Sequence, residues 1–135
     1  MINSYSIISQ AVAADGTLNF DISRVLTGCT VKHVDGTPTF TLTKPGYYYV
    51  TFNADALGTA AGDITVELLN GTTSVPGATA TSTIAVGDTT NLAFSTIIRV
   101  LPSCPAIDNT TTLTILNSGV AATYNTANIN ITKLC

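Results

Sequence analysis

Charge is scarce in this chain. Charged residues make up 10% of its 135 positions, against about 25% in an ordinary globular protein. Five are Lys or Arg and eight are Asp or Glu, for a formal net charge of −3. No basic run or patch exists, so a nucleic-acid partner is not expected, because a phosphate backbone is bound by clustered cations. No apolar run approaches the roughly 18 residues that a membrane helix needs, so no membrane partner is expected either. The opening MINSYSIISQAVAADG lacks a cationic start and a long apolar stretch, and so does not read as a signal peptide.

Histidine and glutamate each occur once, as His33 and Glu67. A hydrolytic triad or a histidine-rich metal site needs partners around the imidazole, and glycosidase chemistry needs paired carboxylates. HVDG places Asp35 two residues from His33, which reads as a polar pair on one strand face. The remaining aspartates, at 15, 21, 55, 63, 88 and 108, are scattered. Asp55 and Asp63 bracket the loop GTAAG and read as solvated turn residues. The inventory predicts no enzyme, no catalytic residue, no cofactor and no metal. Three cysteines, Cys29, Cys104 and Cys135, cannot all pair within one chain. Three free thiols, one intrachain bridge, and a bond between subunits at Cys135 are the readings left standing. The sequons at Asn70, Asn109 and Asn130 are expected to be unused.

Helical periodicity is also missing. Threonine is the commonest residue, and Asn, Ala, Ile, Val and Gly follow, a mixture that favours strands and turns. Short apolar runs predict strands near Tyr5–Ala11, Leu18–Phe20, Thr30–Val34, Thr37–Thr43, Gly46–Ala56, Asp63–Asn70, Thr79–Val86, Leu92–Leu101, Thr111–Asn117 and Ala127–Leu134. Turn residues divide them: Asp15-Gly16, Asp35-Gly36, Pro45-Gly46, Asn70-Gly71 and Gly87-Asp88. About ten strands at this spacing predict a sandwich or barrel, in one domain spanning residues 1–135.

Two strands are apolar on both faces. Side chains alternate along a strand. In PGYYYVTFNADA, Tyr48, Val50 and Phe52 share one face, while Tyr47 and Tyr49 lie on the other with Thr51 and Asn53. In LAFSTIIRVL, Leu92, Phe94, Ile98 and Val100 oppose Ala93, Ile97 and Leu101. An antiparallel sheet usually wets one face. With no helix to provide a second cover, another copy of the chain is the expected cover, and Tyr47, Tyr49, Ile97 and Leu101 are its candidate contacts. DITVELLNG, by contrast, alternates as a strand facing water on one side.

The segment FTLTKPGYYYVTF resembles the signature of the tumour-necrosis-factor-like and complement-q globular head superfamily. Phe40, Pro45, Gly46, Tyr48 and Val50 fit its Phe-to-Gly turn and Gly-x-Tyr-x-Phe alternation, with Val50 where Phe is usual. DITVELLNGTTSVPG, NLAFSTIIRVLPSC and ANINITKLC resemble the strands that follow, so the likeness runs from about Ser4 to Cys135. The loop after Leu101 departs from the family, and no collagen-like stalk is present. The resemblance implies a ten-stranded, two-sheet jelly roll whose last strand lies mid-sheet and whose inner sheet packs around a threefold axis. It is nearest in texture to heads of bacterial collagen-like surface proteins and their bacteriophage homologues. A homotrimer on a virion surface is therefore expected, as a head fibre or capsid decoration that docks on another virion structural protein. Two alternatives stand beside it: a glycan-binding recognition head, with Tyr124 in VAATYNT as the candidate ligand-loop residue, and the head of a spore-surface collagen-like protein.

Overall fold

The structure, a computed structural model, describes residues 1–102 and 111–135. Cys104, Pro105, Asp108 and Asn109 therefore lie outside the described residues. Twelve strands follow along the chain: β1 (Ile2–Ser6), β2 (Gln10–Val12), β3 (Gly16–Thr17), β4 (Ile22–Leu26), β5 (Val31–His33), β6 (Phe40–Leu42), β7 (Gly46–Gly58), β8 (Gly62–Asn70), β9 (Thr73–Ile84), β10 (Thr89–Val100), β11 (Thr111–Asn117) and β12 (Ala122–Lys133). They form two antiparallel sheets, ordered β10-β7-β12-β1-β4 and β5-β6-β11-β8-β9, with β2 added beside β12 and β3 beside β11. The architecture is the expected all-β jelly roll, with twelve strands among the described residues where ten were expected. The extra count has two sources. The run Tyr5–Ala11 breaks at Ile7–Ser9 into β1 and β2, and β4 has no counterpart among the predicted strands, while the predicted Leu18–Phe20 is not a strand and β3 stands just before it, with Phe20 in an isolated bridge to Thr37.

Alternation explains the long central strand. In β7, Tyr48, Val50, Phe52, Ala54 and Ala56 are buried, and the residues between them are more exposed. Ile129 and Ile131 of β12 lie beside them, in register with Phe52 and Val50. Across the sandwich, Ile64, Val66 and Leu68 of β8 and Leu113 and Ile115 of β11 fill the facing layer. Phe20 joins the two sheets. Its ring meets Phe40 edge-on at 5.3 Å and Phe52 at 6.4 Å, a geometry that suits the ring quadrupoles. A buried side chain of this size contributes about 1.5–3 kcal/mol.

The predicted turns hold their residues for backbone reasons. Gly71, between β8 and β9, has a φ of 64°, and Gly46, which opens β7, has a φ of 139°. A Cβ at Gly46 would collide with the carbonyl oxygen of Cys135. The C-terminal end of β12 bonds there: Tyr47 N–H donates to Cys135 O, and Leu134 N–H donates to Tyr47 O. Gly46, Val100 and Lys133 thus mark a lower pole, and Gly58, Thr89 and Ala122 an upper one.

The two strands on one flank end their sheets differently. β9 carries Pro76 and Gly77, the latter at a φ of 82°, and its pairing with β8 shifts register between Glu67 and Leu69. β10 runs in unbroken register with β7 from Thr89 to Val100 and contains no proline.

Candidate functional site: the outer face of the long sheet

β10, β7, β12, β1 and β4 turn one face to the core and the other outward. The outward face divides into two zones. Near the lower pole it is aromatic and aliphatic. Tyr49 stands opposite Ile97, and Tyr47 opposite Arg99. The Arg99 guanidinium carbon lies 5.7 Å from the centre of the Tyr47 ring, within range of a cation–π contact. Tyr47, Tyr49, Ile97 and Leu101 are 43%, 41%, 56% and 61% exposed. The structure brings Tyr47, Tyr49 and Ile97 together at the lower end of β7 and β10, and Leu101 follows directly after β10.

Above this zone the face is made of amides and hydroxyls. Asn3 Nδ2 donates to Asn128 Oδ1 at 2.8 Å and to Asn130 Oδ1 at 2.6 Å, and Asn130 Nδ2 donates to Thr51 Oγ1 at 3.2 Å. These bonds cross β1, β12 and β7. Asp55, further up β7, accepts from Asn91 Nδ2 at 2.9 Å and from Thr126 Oγ1 at 3.2 Å. On the β4 side, the Arg24 guanidinium carbon sits 4.6 Å from the Tyr5 ring centre. On β7 and β10 the large apolar residues of the second face are thus gathered in its lower zone, and Tyr5 and Ile22 form a separate pair on β1 and β4. Sequence reading missed the amide cluster, although the alternation Asn128, Ile129, Asn130, Ile131 carried the signal for it.

Tyr124 is not a loop residue. It belongs to β12, is 1% exposed, and donates its phenol to Asn117 Oδ1 at 3.1 Å. A pairing irregularity between Tyr124 and Thr126 admits an extra residue, so Tyr124 and Ala127 both point inward. The proposed ligand-loop role is corrected accordingly. Asn117 is itself buried, and its amide donates toward the carbonyls of Val12, Ala13 and Val120 at 3.1–3.4 Å. One side chain thus ties two upper loops to β11 and β12. Burial pushes the Tyr124 phenol well above its ordinary value, and burial also raises that of Tyr48.

His33 and Asp35 are not a pair. The imidazole stacks on Phe40 at 4.1 Å, with Nδ1 2.9 Å from Thr39 O and Nε2 3.1 Å from Phe20 O, while Asp35 accepts from Ser23 Oγ. Asp55 and Asp63 stand on strands of different sheets, and Thr83 Oγ1 donates to Asp63. Among the described residues, no three His, Cys, Asp or Glu side chains gather as metal ligands would. Cys29 and Cys135 are exposed, and neither is bridged among the described residues. Asn130, one of the three sequon asparagines, is bonded within the amide cluster on mid-sheet β12.

The two sheets and their strand order give a jelly-roll fold like that of complement-q and tumour-necrosis-factor-like heads. The globular domain of zebrafish complement 1qA protein superposes with a TM-score of 0.72 at 13% identity, covering 99% of this chain and 96% of that one. The PRD1 vertex protein P5 is similar at a TM-score of 0.58 and 14% identity, over 99% and 96% of the two chains. Murine APRIL is similar at 0.60 and 3% identity, over 96% and 98%. No protein-family model matches the chain, and no curated protein matches it by sequence.

Proposed function

We propose that the chain is a non-enzymatic structural head that forms a homotrimer on a virion surface and docks on another virion structural protein. The observation that carries this reading is the outer face of the long sheet. Tyr47, Tyr49, Ile97 and Leu101 leave an apolar zone in water on a sheet whose other face already fills the core. Such a zone marks an interaction surface. A Tyr withdrawn from water contributes on the order of 2 kcal/mol, and a threefold assembly collects that contribution from each subunit. The likeness to a vertex protein supports a place on a particle. Burial of Tyr124 removes the residue on which the glycan-binding alternative rested.

Light scattering coupled to gel filtration tests the assembly. The expected result is a species three times the 13.9 kDa chain mass, and a monomer at micromolar concentration overturns the reading. Genomic surroundings test the particle. Capsid and tail genes beside this one support it, and a collagen-like coding segment joined to it would favour the spore-surface head instead.

A further inference from the structure

The charges on the outer face are divided by its middle strand. Arg24 lies on the β1–β4 side of β12, over Tyr5, and Asp55 lies on the β7 side. Neither meets an opposite charge among the described residues. Asp55 takes neutral donors from Asn91 and Thr126, and Arg24 rests on an aromatic ring. Arg24 stands on β4, three strand spacings from β7 or about 14 Å, so the two groups form no ion pair within one subunit.

Their heights match more closely. Tyr5, Asn128 and Asn53 form one cross-strand row. Asp55 stands two residues beyond Asn53, a rise of about 7 Å above the Tyr5 ring on which the Arg24 guanidinium rests. Arg99 is no substitute, because eight residues of β10 separate it from Asn91, the partner of Asp55, a distance of about 27 Å. A cavity of about 230 Å³ opens beside Arg24, lined among others by Tyr5, Asn53, Thr126 and Asn128.

A closed ring of three copies is heterologous: each copy meets the next through two different patches. Around an axis over β12, the flank left of the strand in one copy faces the right flank of its neighbour. We propose that Asp55 of each subunit enters the cavity of the next and pairs with Arg24 there, so that three such pairs fix which flank meets which. The inference rests on the trimer reading above and adds its polar register. Opposite charges placed this way select a partner orientation as much as they strengthen it.

Arg24→Asp and Asp55→Arg each set like charges against one another. Sedimentation velocity across a dilution series should show each single variant assembling only at about tenfold higher concentration or more. The charge-swapped R24D/D55R chain should assemble as the wild type does. Both positions are exposed, and recovery in the double variant shows that neither change spoils the fold. An assembled wild type whose single variants assemble equally well overturns the pairing alone, as does a double variant no better than the singles. A monomeric wild type overturns the trimer reading and this pairing with it.

Discussion

Adjacent tyrosines in β7 face opposite surroundings, and substitution should separate them. Tyr48 is buried and donates its phenol to Lys44 O at 2.7 Å. Tyr48→Ala should leave a cavity and lower subunit stability by about 3–5 kcal/mol, measured by urea unfolding. Tyr49→Asp should leave the folded subunit intact and place a charge in the assembly zone, so light scattering should report loss of the trimer. Equal effects of both changes on subunit unfolding would contradict the alternation. Asn117 makes a second residue-scale test. Asn117→Ala takes the partner from the Tyr124 hydroxyl and a donor from the loop carbonyls, for a loss of about 1–3 kcal/mol. A double cycle with Tyr124→Phe should show coupling, because the two side chains share one bond.

The ends of strands depend on single backbone positions. Gly46→Ala should displace the last residues of β12, since both the φ of 139° and the nearby Cys135 carbonyl exclude a side chain. Hydrogen exchange should quicken at the Tyr47 and Leu134 amides while the middle of β7 stays protected. Elements with strict alternation were readable in the sequence. β7, β8 and β11 appear where Tyr48-Val50-Phe52, Ile64-Val66-Leu68 and Leu113-Ile115 predicted them. The outward direction of Tyr49 and Ile97 followed from the same period of two. Bulges hid the rest. In ISRVL, the apolar Ile22, Val25 and Leu26 keep no period, because pairing with β1 skips a residue at Arg24. Tyr124 looked like a loop residue for the same reason, its strand carrying an irregularity at Asn125. Arg24 and Asp55 could not be brought together from sequence order, since only the order β7-β12-β1-β4 places them on one face.

Across the whole molecule, alkali should act through the two buried phenols. Both have pKa values raised by burial in the folded state. Above pH about 10, the ordinary tyrosine value, the unfolded chain releases these protons and the folded chain keeps them. Their stabilising contribution is complete below that pH and falls as pH rises toward the folded-state values. Phenolate absorbance should therefore include a cooperative step that coincides with loss of the sheet circular-dichroism signal. Tyr124→Phe should shrink that step. The same sandwich leaves a lone subunit with one unguarded side. Proline, glycine and a register shift interrupt β9, as natural edges commonly do. β10 is long and free of such interruptions. Its edge amides and carbonyls, unmatched by any strand among the described residues, are a template on which a second chain can lay a strand, and repetition of that step makes a fibril. A subunit kept from its assembly should thus be a seed for amyloid-like growth, and lysines placed along β10 should slow that growth without touching the core.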